Sequence, residues 1–90
     1  MLLTKRSEQQ LRKAPLHIQD SVLKKYYVLE KDPAYGMRIE KRLFPKEYNH
    51  LTNLFRITLP NGWKMIYTLT QETIILEIID HKDYERLFNY

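Results

Sequence analysis

Between Leu54 and Leu69 the chain alternates apolar and polar side chains on either side of Pro60-Asn61-Gly62, a pattern that fits a β-hairpin. Phe55, Ile57 and Leu59 share one face, and Arg56 and Thr58 the other. Beyond the turn, Trp63, Met65, Tyr67 and Leu69 alternate with Lys64, Ile66 and Thr68. Loop length sets the register. A two-residue Asn-Gly loop puts Leu59 opposite Lys64 and mixes the faces. A three-residue loop pairs Leu59 with Trp63, Ile57 with Met65 and Phe55 with Tyr67, keeping the apolar set together. Pro, Asn and Gly, in that order, suit a type I turn followed by a left-handed residue. Thr58 then faces Lys64, Arg56 faces Ile66, and Arg56 and Lys64 become diagonal neighbours on the polar face. Two cations so placed repel mildly, which implies solvent or an anion between them.

A third strand is predicted over Thr73–Ile79. It is nearly all β-branched or apolar, as suits a central strand covered on both faces, with Glu77 as the exception. Upstream, Met1 to Thr4 allows at most a short edge strand. Ser7 and Gln10 have capping-box spacing, which predicts a helix from about Glu8 to Lys13. Ala14-Pro15 breaks it, and Pro15 suits the first turn of a second helix. There Ile18, Val22, Tyr26 and Leu29 recur at helical spacing until Asp32-Pro33. The two helices are expected to form an antiparallel hairpin. Tyr35 to Asn53 keeps neither period and reads as a mostly irregular connector carrying Arg38, Lys41, Arg42 and Lys46. His81 to Phe88 reads as a short helix. The expected architecture is one α+β domain over residues 1–90: an N-terminal helical hairpin packed on a small antiparallel β-sheet, with a short C-terminal helix.

Composition removes several chemistries. The chain has no cysteine, which excludes disulfides and thiolate sites. His17, His50 and His81 lack carboxylates at ligand spacing, so no metal and no cofactor are expected. No apolar run approaches the ~20 residues of a membrane span. The start turns polar too soon for a secretory signal, which makes a cytoplasmic location the expectation. The net charge of +4 is uneven: residues 51–69 carry Arg56 and Lys64 without an acid, whereas residues 70–90 carry five acids against Lys82 and Arg86. A polyanion, or an acidic partner protein, meets the front three-quarters more readily than the tail.

Several segments together resemble the RelE/ParE superfamily, the toxin half of toxin–antitoxin pairs. They are Thr4-Lys5-Arg6-Ser7 before a Leu11-bearing helix, the helical hairpin ending in Asp32-Pro33, Phe55-Arg56-Ile57, Gly62-Trp63-Lys64-Met65-Ile66-Tyr67, and Ile79-Asp80-His81-Lys82-Asp83-Tyr84. The resemblance spans nearly the whole chain and rests on the order and spacing of these segments. It implies a RelE-like fold and, as in the family's ribonuclease members, a metal-independent endoribonuclease (an mRNA interferase) acting on messenger RNA in the ribosomal A site. A cognate antitoxin would hold it inactive. The family's basic residue in the aromatic-basic-apolar segment matches Arg56, the one after Gly-aromatic matches Lys64, and its His-basic pair matches His81-Lys82. Its late tyrosine matches Tyr84 at the short spacing, while Phe88 stands at the longer one. Thr58 stands where the family often carries a second basic residue, and this tail is acidic where the family's is often basic.

Cleavage of RNA through its own 2′-hydroxyl needs a base, cations for the charge gathering on phosphorus, and an acid for the departing 5′-oxygen. Arg56 and Lys64 suit charge stabilisation. His81, as an imidazole, suits either proton role. Tyr84 suits stacking on a base or donating a proton, and Lys41, Arg42 and Lys46 suit contact with the RNA backbone. Two alternatives stay open: a non-catalytic inhibitor of the ParE type, which acts by binding a protein such as gyrase, and an inactive, degenerate toxin. A double-stranded RNA-binding module would need a strongly basic terminal helix, and Asp83 and Glu85 argue against one.

Overall fold

The hairpin forms in the three-residue register, with Phe55 opposite Tyr67, Ile57 opposite Met65 and Thr58 opposite Lys64. These positions come from a computed structural model that describes residues 1–89. The turn reaches that register by a different route from the one expected. Asn61 and Gly62 both have positive φ, 58° and 80°, as a type I′ turn requires. Pro60 has no N–H for the strand pair, so the Leu59 N–H donates to the Trp63 carbonyl while the Trp63 N–H donates to Pro60. Proline thus adds the extra residue that keeps both apolar faces aligned.

The elements are β1 (Leu2–Leu3), α1 (Lys5–Lys13), α2 (Leu16–Lys31), β2 (Met37–Arg38), β3 (Phe55–Thr58), β4 (Lys64–Leu69), β5 (Thr73–Ile79) and α3 (His81–Phe88). Five strands form one sheet in the order β1-β5-β4-β3-β2. The α+β architecture is the expected one, but the sheet is mixed, because β1 lies parallel to β5. A strand followed by a helical crossover can return parallel, whereas a tight turn enforces antiparallel pairing. The connector also contributes β2, which pairs Met37 with Arg56 and Arg38 with Phe55.

The N-terminal cap corrects another expectation. The Thr4 hydroxyl, not that of Ser7, caps the helix by accepting from the Ser7 N–H at 3.1 Å, so α1 begins about one turn earlier. Ser7 is buried, and its hydroxyl donates to the Ile75 carbonyl at 2.8 Å, pinning the helix to β5. At the far end of α2, the Tyr67 hydroxyl accepts from the Gly36 N–H and donates to the Pro33 carbonyl, both at 2.8 Å. No Cβ fits at Gly36, because it would lie 2.8 Å from that same oxygen.

Both sheet faces are covered. Ala14 with Ile18, Val22 and Leu29 of α2 packs on Phe55, Ile57, Met65, Tyr67, Ile75 and Ile78. On the opposite face Leu54, Ile66, Leu76 and Ile79 meet Tyr84 and Phe88 of α3, with Ile39, Phe44, Tyr48 and Leu51 closing over them. On the face that carries Arg56 and Lys64, Ile66 and Thr68 are buried. The connector supplies the apolar cover its weak periodicity concealed. Among the described residues, no helix is long and apolar enough to cross a membrane.

Glu77 is held where β5 bulges. Ile66 pairs with Glu77 and Tyr67 with Ile75, leaving Leu76 as the extra residue. The Glu77 carboxylate is 1% exposed; Arg6 Nε lies 3.2 Å from both its oxygens, Gln10 Nε2 donates at 2.8 Å, and the Tyr48 hydroxyl donates to it as well. Gln10 Oε1 in turn accepts from the Ile78 N–H at 2.8 Å, capping the edge of β5 beyond the short β1.

Candidate functional site

The polar face stays open near the β3–β4 turn, and there the two predicted strand cations converge on α3. Arg56 Nη1 donates to the Tyr84 hydroxyl at 2.7 Å. Its guanidinium carbon lies 5.9 Å from the centre of that ring, and Lys64 Nζ lies 5.3 Å from the same centre. Both diagonal cations thus lie near the one phenol ring, whose negative face offsets part of their repulsion. Both cations are half-buried, and neither has a carboxylate partner among the described residues. Positive charge fixed in a partly desolvated place without a counter-ion is suited to an anion.

Local structure explains the arrangement. Pairing of β3 with β4 brings Arg56 and Lys64 to one side, and β2 lays the Met37 sulfur 2.7 Å from Arg56 Nη2. Asp80 caps α3 by accepting from the Asp83 N–H at 2.9 Å, which turns Tyr84 inward to 4% exposure against Phe88, the ring centres 4.9 Å apart. A stacking role for Tyr84 does not fit this burial; it positions Arg56 instead.

His81 stands at the rim. A Cβ on Gly62 would lie 3.1 Å from the His81 Cβ, so the turn and the start of α3 nearly touch. Lys64 Nζ is 3.4 Å from the Gly62 carbonyl, which makes the turn the link between Lys64 and His81. The imidazole Nε2 is 3.5 Å from Glu85 and well exposed. Lys82 is exposed, and no hydrogen bond or ion pair joins it to the cluster among the described residues.

The connector cations lie apart from this group. Lys41 donates to the Asn49 and Leu51 carbonyls and sits over the Phe44 ring at 4.8 Å, so it holds its own loop together. Arg42 pairs with Glu40 at 2.7 Å. Lys46 lines a separate groove of about 440 Å³ between α1, α3 and the connector. In that groove Arg6, Lys46 and Arg86 face Glu47, Glu77 and Asp83, and the charges largely cancel.

Sequence reasoning missed two contributors, Met37 beside Arg56 and Gly62 against His81. Only the Asn-Gly turn left a signal, and it announced a bend without its neighbour. Comparisons with protein-family models, curated proteins and solved structures found no match.

Proposed function

We propose that this protein is a toxin of the RelE/ParE type: a metal-independent, ribosome-dependent endoribonuclease that cuts messenger RNA and is restrained by a cognate antitoxin. Arg56 and Lys64 hold the non-bridging oxygens of the scissile phosphate. The 2′-hydroxyl loses its proton and attacks phosphorus, the bond to the 5′-oxygen breaks, and that oxygen takes up a proton. The products are a 2′,3′-cyclic phosphate and a 5′-hydroxyl end. His81 serves one of the two proton transfers at the rim, and Tyr84 keeps the Arg56 guanidinium aimed. Lys82, exposed at the start of α3, adds electrostatic attraction for the RNA backbone. The observation that carries this proposal is the pair of cations gathered at the Tyr84 ring, without a carboxylate partner among the described residues, with Lys64 linked through the Gly62 turn to a histidine.

The test is to induce the wild-type protein and an Arg56→Ala/Lys64→Ala variant in cells, following growth and mapping transcript ends. Arrested growth with new 5′-hydroxyl ends for the wild type, both abolished in the variant, is the expected result. Equal arrest by both proteins without transcript cuts would establish an inhibitor that acts by binding a protein, and a harmless wild type would establish a degenerate toxin.

A further inference from the structure

The outward face of α2 carries large apolar side chains that stand exposed: Leu16 is 77% exposed, Leu23 56% and Tyr27 69%. At 100° per residue these three fall on one stripe, opposite Ile18, Val22 and Leu29, which face the sheet. Asp20 lies on the same stripe and Lys24 on its flank, and neither has an ion-pair partner among the described residues.

We infer that this face is self-complementary and that two copies of the protein pair through antiparallel α2 helices about a two-fold axis near Val22. Leu16 and Tyr27 lie equally far from a point between Ser21 and Val22. An axis there sets Leu16 of each copy against Tyr27 of the other and brings the two Leu23 side chains together at the centre. Asp20 and Lys24 stand two residues either side of Val22, so each Asp20 meets the second copy's Lys24, and the symmetry makes that pair twice. A uniformly acidic or basic partner would face a like charge at one of the two positions, whereas a second copy satisfies both. A sixteen-residue helix spans about 24 Å, so the contact belongs with the small, transient interfaces below about 1,200 Å². This face lies across the sheet from Arg56 and Tyr84 and does not depend on what they bind.

Sedimentation equilibrium of the full chain, from about 1 μM to 1 mM, tests it. Wild-type protein is expected to form dimers reversibly, and Leu23→Glu to remain monomeric with unchanged circular dichroism and thermal midpoint. Asp20→Lys and Lys24→Asp, each creating two like-charge contacts, are expected to weaken association about tenfold, and the double swap to restore it to within about threefold. A wild type that stays monomeric throughout would overturn the proposal, as would a double swap no tighter than either single change.

Discussion

Tyr84 does at the residue scale what two separate cations cannot do alone: it holds Arg56 and Lys64 near each other. Its hydroxyl takes one hydrogen bond from Arg56, and its ring faces both charges. Replacing Tyr84 by Phe keeps the ring and removes the acceptor. The expected loss is about 1 kcal/mol of stability by urea denaturation and, under the proposed function, a larger drop in RNA cleavage because Arg56 loses its aim. Gly62→Ala tests the rim. With φ of +80° and a Cβ 3.1 Å from that of His81, alanine is both strained and crowded, and the cost should be about 1–3 kcal/mol in the same assay. Gly62 was legible as a turn residue, since Asn-Gly between alternating strands has few other uses. Its approach to His81 was not, because closeness between residues nineteen apart in the chain follows from packing and leaves no local pattern.

At the scale of elements, β5 is where the sheet is most dependent on its surroundings. It lies between β4 and β1, but the two-residue β1 pairs only with Ile74 and Ile75, so the far end of β5 runs on without that neighbour. Gln10 covers that gap with both ends of its amide, one on the Ile78 N–H and the other on Glu77. Gln10→Ala exposes an unpaired strand amide and removes one donor from a buried carboxylate, with an expected loss of about 1–3 kcal/mol by chemical denaturation. The strand itself was readable from its β-branched run, and Glu77 stood out as a lone acid there. Its partners could not be read, since Arg6, Gln10 and Tyr48 come from two distant elements and only the bulge at Leu76 turns the carboxylate toward them. The β3–β4 register was the most legible feature of the chain, because a slip by one residue would have set the apolar face of one strand against the polar face of the other.

At the scale of the molecule, two apolar layers sandwich one sheet, and tyrosines hold both layers to it. Burial, followed by the hydrogen bond to Glu77, pushes the Tyr48 hydroxyl above the ordinary tyrosine range. Burial also raises Tyr67. In the unfolded chain both ionise near pH 10. Above that pH the folded state keeps protons the unfolded state has lost, so stability falls as pH rises. Denaturation followed from neutral pH to beyond pH 10 should show this decline, with a shallower slope in Tyr48→Phe. The second layer was the least legible part of the fold. Ile39, Phe44, Tyr48 and Leu51 follow neither a helical nor a strand period, because single 3-10 turns at Lys41–Leu43 and Lys46–Tyr48 reset their direction. The same layer narrows the open basic surface to the end near the β3–β4 turn, where the candidate site lies.

The most direct test of the central claim is single-turnover cleavage of messenger RNA bound to programmed ribosomes. It compares wild type, Arg56→Ala and Lys64→Ala, and includes a message carrying one 2′-deoxy nucleotide at the cut position. The expected result is a loss of about 100-fold or more for each variant, with each variant still folded at the assay temperature by its thermal midpoint, and no cut in the deoxy message. Cleavage at wild-type rate by either variant, or cutting of the deoxy message, would contradict the account.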